Sequence, residues 1–193
     1  MTEYPKNEPH QARIRHLPRN VWAVGLTSFF MDISSEMIMY ILPLFLANYL
    51  GIQTAIIGLI EGFAEATASI LKLISGWLSD KLGGRKWLAV FGYGLSAIVK
   101  PFFYIANTWG LIAGVRWADR VGKGIRTAPR DALVADSVTK ENRGLAFGIH
   151  RAMDTAGAMV GILIAALVVW LVQKNSINLS RYTFQIIVLV SMV

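Results

Sequence analysis

The 193-residue sequence contains no cysteine. That removes a disulfide framework, a thiolate zinc site and a thiol nucleophile. Charge is also scarce: 16% of residues are Asp, Glu, Lys or Arg, against about 25% in a soluble globular domain. So few polar groups do not coat a water-soluble sphere. Histidine is limited to His10, His16 and His150, each read as isolated, with no H-E-x-x-H pair, so neither a metal site nor a Ser/His/Asp set is indicated. The V-G-K-G-I stretch at 121–125 is not a phosphate-binding loop: position 117 is Trp, and Gly124 stands where Ser or Thr is needed. The sequence is therefore read as non-enzymatic, without a cofactor. What is abundant is apolar surface. Hydrophobic residues make up 54% and mean hydropathy is +0.48, which excludes a disordered chain and points to a membrane protein. The net charge of +7 is read as Lys and Arg holding cytoplasmic loops, not as a nucleic-acid surface.

A spanning helix needs roughly 20 mostly apolar residues. Residues 1–20 are polar, basic and broken by Pro5, Pro9 and Pro18, and are read as a cytoplasmic tail. Residues 21–193 then hold six apolar segments: Val21 to Ala47, Thr54 to Ser79, Trp87 to Ala106, Trp109 to Ala135, Leu145 to Val172, and one from Leu179 that is still apolar at Val193. The expectation is an all-α integral membrane bundle of six transmembrane helices, the last one truncated. Lys6, Arg13, Arg15, Arg19, Lys81, Arg85, Lys86, Lys140 and Arg143 fall on one side, against Lys174 and Arg181 on the other. That asymmetry places the N-terminus in the cytoplasm, in the inner or plasma membrane.

Charges inside the segments carry the functional signal. Seven acids (Asp32, Glu36, Glu61, Glu65, Asp119, Asp131, Asp154) and eight bases (Lys72, Lys100, Arg116, Arg120, Lys123, Arg126, Arg130, Arg151) lie within them. Each costs about 2.5–3.5 kcal/mol at a helix centre, so they face one another or a water-filled cavity. Asp32 and Glu36 are four residues apart and share a helical face. Asp32 lies about 16 Å along the helix from Val21, near the midplane. Reversible protonation and a salt bridge to segment 4 are equally weighted readings of this pair. Glu61, Glu65 and Lys72 follow one face of segment 2, where Gly58, Gly62, Ala66 and Ser69 permit close helix approach. Segment 4 carries Arg116, Asp119, Arg120, Lys123, Arg126 and Arg130 at threes and fours, a mostly basic stripe whose expected partners are carboxylates of segments 1, 2 and 5. Arg126 and Arg130 are read as interfacial anchors. Any basic excess favours an anionic or zwitterionic small solute, with Arg120 the first candidate contact, Lys123 the second, and Glu65 and Asp154 as further cavity candidates.

The loop between segments 2 and 3 reads G-W-L-S-D-K-L-G-G-R-K-W-L, residues 76–88. It resembles the signature loop of the major facilitator superfamily: Gly76, Leu78, Asp80, Lys81, Gly83, Arg85 and Leu88 match in type and place. Gly84 replaces a residue that is commonly basic. Arg116 with Gly122 and Gly124, followed by A-L-V-A-D ending at Asp136, resembles that superfamily's helix-4 motif, whose Arg is often linked to proton coupling. Asp136 corresponds to the acid that pairs with a basic loop residue; with Gly84 in place, Arg85 is the substitute. Gly157 and Gly161 form a close-packing G-x-x-x-G, but Ile162, Ala165 and Ala166 depart from the antiporter motif.

The resemblance covers residues 20–193. It implies the N-terminal six-helix half of a twelve-helix transporter, built from 3+3 inverted repeats, with the C-terminal half absent from this chain. In that frame helices 1 and 4 line a cavity, helices 2 and 5 meet the other half, and helices 3 and 6 face lipid. The expected activity is secondary active transport of a small solute by alternating access, coupled to protons through Asp32, Glu36, Arg116 and Asp119. Gly76, Asp80, Lys81, Gly83, Arg85 and Asp136 form the gating motif. Lys100 is expected to snorkel or point inward. The alternative is a non-transporting scaffold, assembly or receptor protein that kept the fold.

Overall fold

The structure is a computed structural model that describes residues 17–173 and 178–192. Most of the basic tail (Lys6, Arg13 and Arg15 among it) and Lys174 lie outside the described residues. The described chain is helical: α1 (Arg19–Asn48), α2 (Thr54–Leu82), α3 (Arg85–Val99), α4 (Pro101–Ile105), α5 (Trp109–Asp136), a 3-10 turn (Lys140–Asn142), α6 (Arg143–Val172) and α7 (Arg181–Ser191). Local chemistry sets several boundaries. Gly83 closes α2 in the left-handed region (φ 63°), its N–H reaching Ser79 O, a conformation that costs a residue with a Cβ about 1–2 kcal/mol. The Thr108 hydroxyl caps α5 by accepting from the Leu111 N–H, and the Ser180 hydroxyl caps α7 by accepting from Thr183. The single third segment becomes two helices at Pro101, which brings no N–H to continue the ladder.

Among the described residues, four helical stretches are long and apolar enough to cross a membrane: Arg19–Asn48, Thr54–Leu82, Arg85–Ile105 (α3 with α4) and Lys140–Val172 (the 3-10 turn with α6). Two of the six anticipated spans do not meet that measure. Helix α5 is long enough but carries the charged stripe, and α7 has 11 residues.

Helix α1 packs chiefly along α6 and, less extensively, against α7; α5 packs along α2 and α3. Glycines make these approaches close. A Cβ built on Gly157 would lie 2.5 Å from Phe29 O, and one on Gly161 2.5 Å from Ile33 O. The α1 backbone therefore sits directly on the α6 backbone. Apolar packing is concentrated toward the two ends. One cluster gathers Met37, Ile41, Leu42, Phe45, Phe184 and Ile187, with Phe45 and Phe184 stacked at 4.1 Å. A smaller one joins Leu17, Val21, Val134 and Ala146. The layer between them holds the buried charges, while Leu59, Leu73, Trp77, Trp87 and Trp170 point outward.

Candidate functional site: a charged layer across the bundle

Helices α2 and α5 approach closely because a Cβ on Gly124 would meet Ala68 O at 2.7 Å and one on Gly76 would meet Ala128 at 3.2 Å. Across this seam the i, i+4 carboxylates of α2 face the i, i+4 guanidiniums of α5. Arg116 Nε and Nη2 donate to both oxygens of Glu61 at 3.0 and 2.6 Å. Arg120 Nη1 donates to Glu65 at 2.9 Å. Asp119 lies 3.7 Å from Arg116 and 3.3 Å from Arg120, so it serves both. Arg116, Asp119 and Arg120 are all buried. Arg120 is thus placed differently from the expected solute contact: it is 1% exposed and held by two carboxylates. Lys72 is exposed on α2, outside this ladder.

Asp32 and Glu36 sit mid-way along α1, partly exposed. Neither makes an ion pair within 4 Å among the described residues, so the anticipated salt bridge to segment 4 is not formed; the ladder takes its acids from α2 instead. Lys123 on α5 is likewise partly exposed and its ammonium meets no carboxylate within 4 Å. These three side chains are ionisable groups, partly exposed near the middle of α1 and α5, that the paired ladder leaves open.

Farther toward the Arg19 end, Arg126 and Arg130 are buried, not interfacial. Arg126 lies over the Tyr93 ring at 4.8 Å and donates to Ser96 Oγ at 2.7 Å. Arg130 donates to Asp131 at 3.0 Å and lies 3.5 Å from Asp154. His150, read as isolated, is buried against Ser28 and Asp154. Sequence spacing shows only the Asp154 neighbour, four residues on; Ser28 arrives from a different helix. Lys100 points inward: its ammonium donates to Ser34 Oγ at 2.6 Å and contacts Met31 Sδ at 3.2 Å.

At the same end of the bundle, Arg85 donates to Asp80 at 3.1 Å and also to Asp136. One guanidinium at the start of α3 therefore ties the end of α2 to the end of α5, with Gly83 in the turn from α2 to α3. Lys81 turns aside and lies over the Trp77 ring at 5.0 Å. Among the described residues, no group of three or more His, Asp or Glu side chains is arranged to hold a metal ion.

The family model of the Major Facilitator Superfamily matches residues 24–193. The chain belongs to the major facilitator superfamily. Within it, the MFS-type transporter MJ1317 of Methanocaldococcus jannaschii is 40% identical over 179 residues, 93% of this chain and 42% of that protein. The multidrug resistance protein MdtH of Aeromonas hydrophila is 29% identical over 155 residues, 80% of this chain and 38% of that protein. The MFS-type transporter YqjV of Bacillus subtilis is 21% identical over 140 residues, 72% of this chain and 34% of that protein. The chain thus spans less than half the length of these superfamily relatives. Family membership and the apolar helices make it an integral membrane protein of a transporter family.

Proposed function

We propose that this chain forms the N-terminal six-helix half of a secondary active transporter that moves a small solute by alternating access, coupled to protons. Asp32, Glu36 and Lys123 form its cavity face, and the Arg19 end lies in the cytoplasm. The observation that carries the reading is the division of charges. Arg116 and Arg120 are held by Glu61, Glu65 and Asp119, whereas Asp32 and Glu36 stay without an ion pair among the described residues. Carboxylates so placed are free to take up and release protons or to meet a cationic group. With the guanidiniums occupied, the open face offers two carboxylates and one ammonium, which suits a cationic or zwitterionic solute better than an anion.

The helix pairing supports the repeat architecture. Helix α1 rests on α6 and α7, and α5 rests on α2 and α3. Overlaying segments 1–3 on segments 4–6 turns one set of partners into the other. Helices α5 and α7 complete the six spans in this reading, α5 because its charges are turned into the bundle. The Asp80–Arg85–Asp136 contact is the gating latch, with Gly76, Lys81 and Gly83 as its frame.

The test is uptake and efflux of a labelled solute panel by the full-length protein in proteoliposomes, with and without an imposed pH gradient. Gradient-driven accumulation that disappears in the Asp32→Asn/Glu36→Gln variant supports the reading. Accumulation that ignores the pH gradient removes the proton, and no transport of any solute removes the transporter.

A further inference from the structure

One buried titratable side chain of the described bundle lies apart from Asp32, Glu36 and Lys123. His150 on α6 is 1% exposed. Its Nε2 is 3.3 Å from Ser28 Oγ on α1. Its Nδ1 is 3.5 Å from Asp154 Oδ2, one helical turn along α6. Ser28 Oγ also shares a 2.6 Å hydrogen bond with Tyr93 Oη of α3 and accepts from Arg130 of α5 at 3.3 Å. Arg130 and Arg151 each lie within 4 Å of both Asp131 and Asp154. The groups facing the imidazole and its two partners are therefore Tyr93 from α3, Arg126, Arg130 and Asp131 from α5, Arg151 and Asp154 from α6, and, one turn beyond Ser28 on α1, Asp32.

A histidine kept for packing alone needs one hydrogen bond and apolar walls. Here both ring nitrogens face groups that give or take protons. The hydrogen-bonding capacity is also incomplete: His150 Nδ1 and Asp154 Oδ1 are buried without a hydrogen-bond partner, a costly state that a shared proton relieves at Nδ1. The charges around them, Arg130 and Arg151 against Asp131 and Asp154, balance. One added proton makes a single positive excess, and a second is opposed by two nearby guanidiniums, so the array accommodates one. Ser28, Asp32 and Glu36 recur at four-residue intervals, one continuous face of α1. The array thus stands at one end of a polar track whose other members are the open carboxylates.

We propose that His150 and Asp154 form a proton-exchange site that passes the coupling proton between Asp32 and the Arg19 end of the bundle. This rests on the proton-coupled reading above. The proton leaves the Asp32 carboxyl, which becomes a carboxylate, and is taken by the Asp154 carboxylate. It moves to His150 Nδ1 as Nε2 releases its own proton to Ser28 Oγ, whose hydroxyl proton passes through the Tyr93 hydroxyl to water in the cavity that Tyr93 lines with Asn20 and Lys86; ring, serine and tyrosine end neutral. Arg130 holds Asp154 and Ser28 in register. Arg151, 60% exposed at its side chain, bounds the array on its outer side.

The test needs no solute, because the probe is pH itself. Full-length protein in lipid vesicles, with 13C-labelled Asp carboxyls and 15N-labelled His rings, is followed by infrared difference spectroscopy as the pH is stepped between about 5 and 8. The expected result is a carboxyl signal and an imidazole signal that titrate together. Histidines other than His150 are replaced by Gln in every sample, so the imidazole signal is that of His150. Asp154→Asn removes its component of the carboxyl signal and displaces the midpoint of the imidazole signal, Asp154→Glu restores that component, and His150→Gln abolishes the imidazole signal. A buried strut predicts a flat imidazole signal across the range, and a flat imidazole signal in the protein that keeps His150 and Asp154 overturns the proposal. If these signals titrate but no pH gradient drives transport, the site stands and the coupled reading fails. If gradient-driven transport occurs with flat signals, the coupling stands and this site is wrong.

Discussion

Replacing Gly161 by Ala adds one methyl group at a point where α6 has no room for it. The new Cβ would lie 2.5 Å from Ile33 O and 3.1 Å from Ile33 C and Cα. These are backbone atoms of α1 and do not swing aside, so the helices must separate. Overpacking of this kind costs about 1–3 kcal/mol. Ala gains about 0.8–1.0 kcal/mol over Gly in a helix interior, so the expected net loss is up to about 2 kcal/mol. Gly94 on α3 provides the control, because a Cβ there meets nothing within 4 Å; Gly94→Ala should be neutral or stabilising by up to about 1 kcal/mol. Thermal melting of the full-length protein in one detergent, measured in parallel on both variants, reads the difference. A Gly161→Ala protein that melts at or above the wild-type temperature refutes the claim that the two backbones are in contact. Gly157 belongs to the same seam, so the double variant should cost less than the sum of the two singles.

Asp119→Asn should destabilise by about 3–5 kcal/mol, because it strips a shared carboxylate from two buried guanidiniums; chemical denaturation in mixed micelles checks this, and a loss under 1 kcal/mol would show that Glu61 and Glu65 suffice. Asp32→Asn/Glu36→Gln should melt close to wild type, since no ion pair is lost, while proton-driven transport in proteoliposomes disappears; a large loss of stability would reveal a structural role instead. Asp80→Asn should cost under about 1 kcal/mol in stability, as an exposed pair does, yet shift the latch toward opening. Spin-label distances from the Gly83 turn to the end of α5 should broaden, and an unchanged distribution would leave Asp136 alone as the partner of Arg85.

Helix positions were legible because apolar runs of spanning length are separated by short polar turns. The α2–α5 ladder was half legible. The four-residue spacing of Glu61 with Glu65 matches that of Arg116 with Arg120, but spacing alone also allowed the acids of α1 to fill that role. The choice depends on glycine-mediated approach of α2, which brings Glu61 and Glu65 within reach and leaves Asp32 and Glu36 open. From the sequence alone Arg126 and Arg130 look like anchors, because distance along a helix says how deep a residue lies, not which neighbour it meets; Tyr93 and Asp154 come from two other helices. The setting of His150 was invisible for the same reason, since Ser28 is 122 residues away. Pro101 was in plain view, yet an apolar run conceals whether a proline divides one span into two helices.

The charge pattern of α5 also has a meaning for how the protein is made. On the proposed topology this helix brings Arg116, Asp119, Arg120, Lys123, Arg126, Arg130 and Asp131 into the bilayer. At 2.5–3.5 kcal/mol each, that is a penalty on the order of 20 kcal/mol for a segment entering lipid alone. No apolar stretch of α5 offsets it, and α5 is absent from the helices apolar enough to cross unaided. Helix α2 leaves the ribosome first, already carrying Glu61 and Glu65. Helix α5 therefore enters the membrane as the partner of one that waits there, and its biogenesis is an act of assembly before it is one of partitioning.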